Sequence, residues 1–64
     1  MKYQVIFRFW GGTITYERIV DNANIRNHLI KELKRDYAIT YVAYNKILKD
    51  GRVIPVKSEI LHAN

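Results

Sequence analysis

Trp10-Gly11-Gly12-Thr13 is the stretch that decides the fold of this chain. Its two glycines lie between runs that alternate apolar and polar residues, and a two-residue loop in that setting is a strong signal for a β-hairpin. The pattern predicts strands over residues 2–10 and 13–20. Because successive side chains of a strand point to opposite faces, the register of this hairpin decides which side chains are buried.

A loop made of the two glycines predicts four cross-strand pairs on one mostly apolar face. The pairs are Phe9 with Ile14, Phe7 with Tyr16, Val5 with Arg18, and Tyr3 with Val20. A slip of one residue would set Phe7 and Phe9 against threonines, so the turn and the apolar pattern favour the same register. The register therefore assigns both phenylalanines to the core. The opposite face carries Lys2, Gln4, Ile6, Arg8 and Trp10.

A helix is predicted over residues 23–35, after the cap-forming cluster of residues 21–24. Its apolar stripe is Ile25, Leu29 and Leu33, widened by Ile30. Lysine and arginine crowd its last turns, where positive charge suits the helix dipole. Because a lone hairpin is marginal in water, we expect this helix to cover one face of the sheet.

A second hairpin is predicted from residue 38 onward, with Asp50-Gly51 as a two-residue type I′ turn. That turn pairs Leu48 with Val53 and sets Pro55 opposite Lys46. Proline is tolerated in a strand at the edge of a sheet, so the fourth strand is expected at an edge. Residues 57–64 are left open between strand, helix and disorder.

The chain is therefore predicted to be a single small domain, residues 1–64, of the α+β class. Its order is ββαββ, with two β-hairpins forming a four-stranded sheet and one helix packed on one face. The first half, from the first strand through residues 12–15 to the helix, resembles the ubiquitin-like β-grasp fold. The resemblance implies a central last strand. The chain ends in His62-Ala63-Asn64, without the glycine pair used for conjugation, and no function is carried over.

Length and composition narrow the classes of function. The chain has 64 residues, no cysteine and a formal net charge of +5. Small domains without disulfides often gain stability from a partner subunit, so we expect a homodimer. An excess of basic residues favours nucleic acid or an acidic protein surface as the partner. We find neither a signal peptide nor a membrane span and expect a cytoplasmic location.

No arrangement of residues indicates an enzyme, a metal site or a cofactor. His28 and Glu32 share a helix face, but such pairs are more often solvated contacts than metal ligands. Ser58 and His62 lie together on a weakly defined tail, and nucleophilic catalysis needs an oriented base. The glycine pair closes a hairpin instead of leading into a helix that could hold phosphate. We expect no small-molecule substrate.

The surface is more informative than any catalytic motif. The third strand adds either Thr40, Val42, Tyr44 and Lys46 or Tyr41, Ala43 and Asn45 to the uncovered face. Basic residues interleaved with aromatic ones suit single-stranded nucleic acid, because bases stack on rings while cations follow the phosphates. The residues assigned to this site are Lys2, Arg8, Trp10, Tyr44, Lys46, Arg26, Lys34 and Arg35.

Two functions follow as hypotheses. The first is a small basic protein that binds nucleic acid through a basic and aromatic sheet face, as an accessory or regulatory protein. The alternative is an inhibitor or adaptor that binds protein and homodimerises through the open sheet face. The small size and the residue usage, rich in Ile, Lys, Asn and Tyr, suggest a bacterial, plasmid or phage accessory protein.

Overall fold

In the computed structural model, which describes residues 1–62, the chain forms four strands and one helix. The elements are β1 (Lys2–Phe9), β2 (Tyr16–Val20), α1 (Ala23–Arg35), β3 (Ile39–Ile47) and β4 (Val53–Ile60). Neighbouring strands are antiparallel, and they form one open sheet in the order β2-β1-β3-β4. The predicted α+β class and ββαββ order are confirmed, with α1 packed on one face.

The register predicted for the first hairpin is confirmed along its paired length. Tyr3 lies opposite Val20, Val5 opposite Arg18, and Phe7 opposite Tyr16. The predicted Gly-Gly loop is wrong by one residue. The Gly12 N–H donates to the Phe9 carbonyl at 3.0 Å, so Trp10 and Gly11 are the central turn residues. Gly11 has a φ of 69°, as the third position of a type II turn requires.

The shifted turn shortens the hairpin. Pairing with β2 ends at Phe7, and residues 13–15 form a loop, so the predicted pair of Phe9 with Ile14 does not form. Phe9 is 37% exposed and lies at the rim of the core, which corrects its assignment to the interior. Its ring packs edge-on against Phe7 and Tyr16, at centroid distances of 6.0 and 5.4 Å.

The helix α1 has the predicted bounds, and its first turn is capped as expected. The Asn22 side chain accepts a hydrogen bond from the Ile25 N–H at 2.9 Å, which satisfies one of the free donors of the first turn. Leu33 is buried against the sheet, and Leu29 and Ile30 pack beside it. The apolar stripe therefore fixes which flank of α1 faces the strands.

The second hairpin differs from its prediction by one residue next to the turn. Val53 pairs with Ile47, whereas the predicted two-residue Asp-Gly turn would pair it with Leu48. The Gly51 N–H donates to the Leu48 carbonyl at 2.9 Å, and Gly51 has a φ of 90°. These features define a three-residue loop with a left-handed glycine at its end.

A β-bulge at Val56 restores the predicted register farther along this hairpin. Pro55 lies opposite Asn45, and after the bulge Lys57 lies opposite Tyr44. The longer loop shifts the pairing by one residue, and the extra residue at the bulge shifts it back. The strand β4 lies at the sheet edge, as the proline predicts.

The core lies between α1 and the covered face of the sheet. It consists of Val5, Val20, Leu33, Ile39, Val42 and Leu61. Leu61, just beyond β4, is 8% exposed, and its N–H donates to the Thr40 carbonyl at 2.8 Å. Residues 57–60 of the undecided tail thus belong to β4, while 63–64 lie outside the described residues.

The β-grasp resemblance is wrong about strand order, because β1 and β3 occupy the centre of this sheet and the last strand lies at an edge. The resemblance holds for the opening hairpin and helix alone. Within residues 1–62, no helix combines the length and the apolar character that a membrane span needs.

Candidate nucleic-acid interface

The register between β1 and β3 decides which side chains share each face of the sheet. Val5 lies opposite Tyr44, so Tyr44 points to the face covered by α1. Lys46 lies opposite Tyr3 and shares that face. The third strand thus adds the second predicted set to the uncovered face, which we call the open face. Its members on β1 and β3 are Lys2, Gln4, Ile6, Arg8, Tyr41, Ala43, Asn45 and Ile47.

This placement separates Tyr44 and Lys46 from Arg8, which the predicted site combined on one surface. The open face instead has a row of linked polar groups at its middle. Gln4 donates from its amide nitrogen to Glu17, and its amide oxygen accepts from Asn45 at 2.9 Å. The polar side chains of this face therefore bond mainly to one another.

The cations of the open face are spread out. Lys2 and Arg8 lie six residues apart on β1, which is about 20 Å along a strand, and the carboxylate of Glu17 lies on the same face. The Arg8 guanidinium stacks on the Tyr41 ring, with Cζ 4.3 Å from the ring centroid. The open face therefore presents isolated charges of both signs and no concentrated positive patch.

A cleft on the other side of the sheet does concentrate positive charge. It lies between α1 and β4, has a volume of about 320 Å³ and has an apolar floor of Ile30 and Val42. We call it the basic cleft. Its remaining lining residues are Asn27, Lys31, Lys34, Tyr44, Lys57 and Glu59. Three lysines thus surround one carboxylate in a space of the size that ligand sites occupy.

Residue spacing explains how the chain builds this cleft. Asn27, Lys31 and Lys34 recur at helical spacing, so they share one flank of α1. Lys57 and Glu59 are two residues apart on β4, beyond the bulge at Val56, and therefore point to the same face as Tyr44 and Val42. The bulge keeps both side chains on the covered face despite the longer turn.

One ion pair crosses the basic cleft. Lys34 Nζ lies 2.7 Å from Glu59 Oε2, with both side chains partly exposed. The hydrogen bond that Lys34 donates holds the pKa of Glu59 below its ordinary value, and the charges of Lys34 and Lys57 act in the same direction. Within residues 1–62, neither Lys31 nor Lys57 forms an ion pair. Two lysines therefore remain for an anion.

Arg26 adds a fourth cation beside the basic cleft. Its Cζ lies 4.4 Å from the ring centroids of both Tyr3 and Tyr44, which form an edge-to-face pair. Its Nε and Nη2 groups donate to Asn27 Oδ1 at 3.0 and 2.7 Å. Two rings and an amide thus hold this guanidinium in place, and its positive charge is fixed before any ligand arrives.

The structure therefore brings together three of the eight predicted site residues: Arg26, Lys34 and Tyr44. Trp10 lies in the first turn and is 79% exposed, and its backbone N–H donates to the Ala38 carbonyl. Arg35 lies at the end of α1 with Glu32 as its ion-pair partner, at 3.4 Å.

The predicted site omitted Asn27, Lys31 and Lys57. Helical spacing from Lys34 could have found the first two, since the three side chains share a flank. Lys57 could have been found from the predicted hairpin register. That register sets Lys57 opposite Tyr44 when the strand pairing is continued beyond Pro55. The missing information was the face to which Tyr44 points, because that depends on pairing between distant strands.

The residues considered for metal binding and catalysis lie apart from this cleft. In the described part of the chain, no group of three or more His, Asp or Glu side chains is arranged to hold a metal ion. The His62 ring packs on Tyr37, with centroids 4.3 Å apart. Ser58 lies opposite Ala43 and therefore on the open face.

Comparisons of the chain with protein-family models, with curated proteins and with solved structures found no match.

Proposed function

We propose that this protein binds single-stranded nucleic acid in the basic cleft. The observation that carries the proposal is the grouping of Lys31, Lys34 and Lys57 around a cleft with an apolar floor. Phosphate groups supply the negative charge that such a cluster favours, and the salt-dependent release of counterions supplies much of the binding free energy. The chain's net charge of +5 acts in the same direction at longer range.

The aromatic and apolar groups of the cleft favour a nucleic acid over a simple anion. Tyr44 lines the cleft beside Val42 and Ile30, so a base or sugar could lie on this floor while the lysines contact phosphates. A volume of about 320 Å³ suits a nucleotide-sized group, whereas a duplex is too broad to enter. These features support single-stranded DNA or RNA as the ligand class.

The Lys34–Glu59 ion pair can give way to an ion pair between Lys34 and a phosphate of the ligand. An incoming phosphate can replace the Glu59 carboxylate at Lys34, since both side chains are partly exposed and exposed ion pairs contribute little to stability. Three lysines would then face the ligand, with the charge of Arg26 beside the cleft. The open face offers no comparable group of charges, so we move the proposed site from that face to the cleft.

The proposal is tested by titrating a fluorescently labelled oligothymidylate with the protein at several salt concentrations. Each cation that contacts a phosphate of a single strand contributes about 0.7 to the slope of log affinity against log salt. The Lys31→Ala/Lys57→Ala double variant should therefore lose about 1.4 of that slope. It should also bind about tenfold or more weakly in moderate salt.

The matched control is Lys2→Ala/Lys49→Ala, which removes the same charge from the open face and the second turn. This variant should retain most of the affinity. Equal losses in the two variants would show that net charge alone, and not the cleft, drives binding. If the unaltered protein does not bind the oligonucleotide even at low salt, the proposal fails and an acidic protein surface becomes the better candidate.

A further inference from the structure

We propose that a second copy of this chain covers the open face, so that two sheets pack face to face. The open face is completed at its two edges by residues of β2 and β4. These are Glu17, Ile19, Val53, Pro55, Ser58 and Ile60. In the described residues α1 covers the opposite face, and nothing covers this one. The inference is independent of the proposed nucleic-acid binding, which uses the other side of the sheet.

The exposed area supports a partner on this face. The accessible surface is 4804 Å², whereas a compact monomer of 7.6 kDa has about 4,300 Å². The difference is about 500 Å² by that scaling. Four strands of about eight residues make a face of about 500 Å² in projection. Covering a face of this size in both copies buries about 1,000 Å² in total, which is near the lower limit for specific association.

Charge favours a second copy here over any other side of the molecule. The helix side carries Lys31, Lys34, Lys57 and Arg26, so two such sides would repel each other. The open face carries both signs, and Gln4 already satisfies Glu17 and Asn45 through its amide. Covering this row leaves the hydrogen bonds of Gln4 and Asn45 intact. Glu17 lies on the edge strand β2, so its carboxylate stays at the solvent-exposed margin of the interface.

The residue pattern is also self-complementary in shape. A two-fold axis parallel to the strands sets β1 over β3 of the second copy and β2 over β4. Since Ile6 and Ala43 are neighbours in register, this symmetry places the large Ile6 over the small Ala43 of the other copy. Ile19 is 49% exposed and Ile60 is 72% exposed, so both have apolar surface left to bury at the margins.

The test measures molecular mass by sedimentation equilibrium from micromolar to millimolar protein. The mass should rise from 7.6 kDa toward twice that value as the concentration increases, because an interface of this size dissociates on dilution. The Ile19→Glu/Ile60→Glu variant should stay monomeric, since four carboxylates would enter the interface. Circular dichroism checks that the variant folds, as both side chains are exposed in the single chain.

The control is Ile25→Glu, which places a carboxylate at a residue of similar exposure on α1, away from the open face. It should associate like the unaltered protein. A protein that remains at 7.6 kDa throughout the concentration range overturns the proposal. Association that persists unchanged in the Ile19→Glu/Ile60→Glu variant also overturns it, because the two copies would then meet through another surface.

Discussion

Glu59 controls the charge of the basic cleft at the scale of a single residue. Among the described residues that line the cleft it is the one carboxylate, and it lies 2.7 Å from Lys34. The lowered pKa of Glu59 means that the carboxylate stays ionised until the solution is more acidic than an ordinary glutamate requires. At neutral pH it therefore both occupies Lys34 and repels phosphate.

Replacing Glu59 with glutamine should strengthen binding of single-stranded nucleic acid. The change removes one negative charge and the ion pair that a phosphate must displace at Lys34, so the affinity for an oligothymidylate should rise severalfold. The salt slope should stay about the same, because the number of lysines that contact phosphate in the complex does not change. Lowering the pH through the folded-state pKa of Glu59 should strengthen binding by the unaltered protein in the same way, because the carboxylate becomes neutral. Glu59→Gln should lack that rise, and fluorescence anisotropy measures both effects.

Asp50→Asn is the matched control for this prediction. Asp50 pairs with Arg52 at 2.7 Å in the second turn, so the substitution also removes one carboxylate and frees one cation. Its effect on affinity should be small, because the turn is remote from the cleft. A gain as large as that of Glu59→Gln would contradict a local role for Glu59.

At the scale of elements, the position of the first turn depends both on the local sequence and on a contact between distant segments. Either glycine can adopt a turn conformation, so the local sequence does not decide between two turn positions that differ by one residue. The Trp10 N–H donates to the Ala38 carbonyl at 2.6 Å, which ties the end of β1 to the approach to β3. This contact between distant segments is compatible with a turn centred on Trp10 and Gly11.

Substituting Gly11 tests this turn directly. Its φ of 69° is a left-handed conformation, and no atom lies within 4 Å of the position that a Cβ would take. Gly11→Ala should therefore destabilise the fold by about 1 kcal/mol through backbone strain alone. Gly11→Asn should cost less, since asparagine tolerates this conformation. Urea unfolding of both variants measures the difference, and equal stability of Gly11→Ala and the unaltered protein would contradict the assigned turn.

The difference between local patterns and contacts between distant segments explains how much of the structure could be predicted from the sequence. Alternation along β1 and β2 and the apolar stripe of α1 are local patterns, and they gave the hairpin register, the helix bounds and the fold class. The bulge at Val56 and the turn at Gly51 have no such pattern, because each depends on how β4 fits against β3. Strand order is also a property of distant pairing, and it decided that Tyr44 faces α1.

At the scale of the whole molecule, the sheet separates two kinds of surface. On the helix side, the basic cleft and its margin combine four cations with an apolar and aromatic floor. The open face combines scattered charges of both signs with exposed isoleucines. The predicted site placed cations and rings on one sheet face because the sequence gives no signal for this separation. This separation supports both proposals, in which a polyanion binds on one side of the sheet and a second copy packs on the other.

Backbone amide chemical shifts during titration with an unlabelled oligothymidylate test the central claim most directly. Binding in the basic cleft predicts that the largest changes fall at Asn27, Lys31 and Lys34 on α1, and at Lys57 and Glu59 on β4. The amides of Gln4, Arg8 and Glu17 should change little, since they lie on β1 and β2, whereas the cleft is lined by α1, β3 and β4. Changes concentrated at those three residues, with the cleft unaffected, would contradict the account and return the site to the open face.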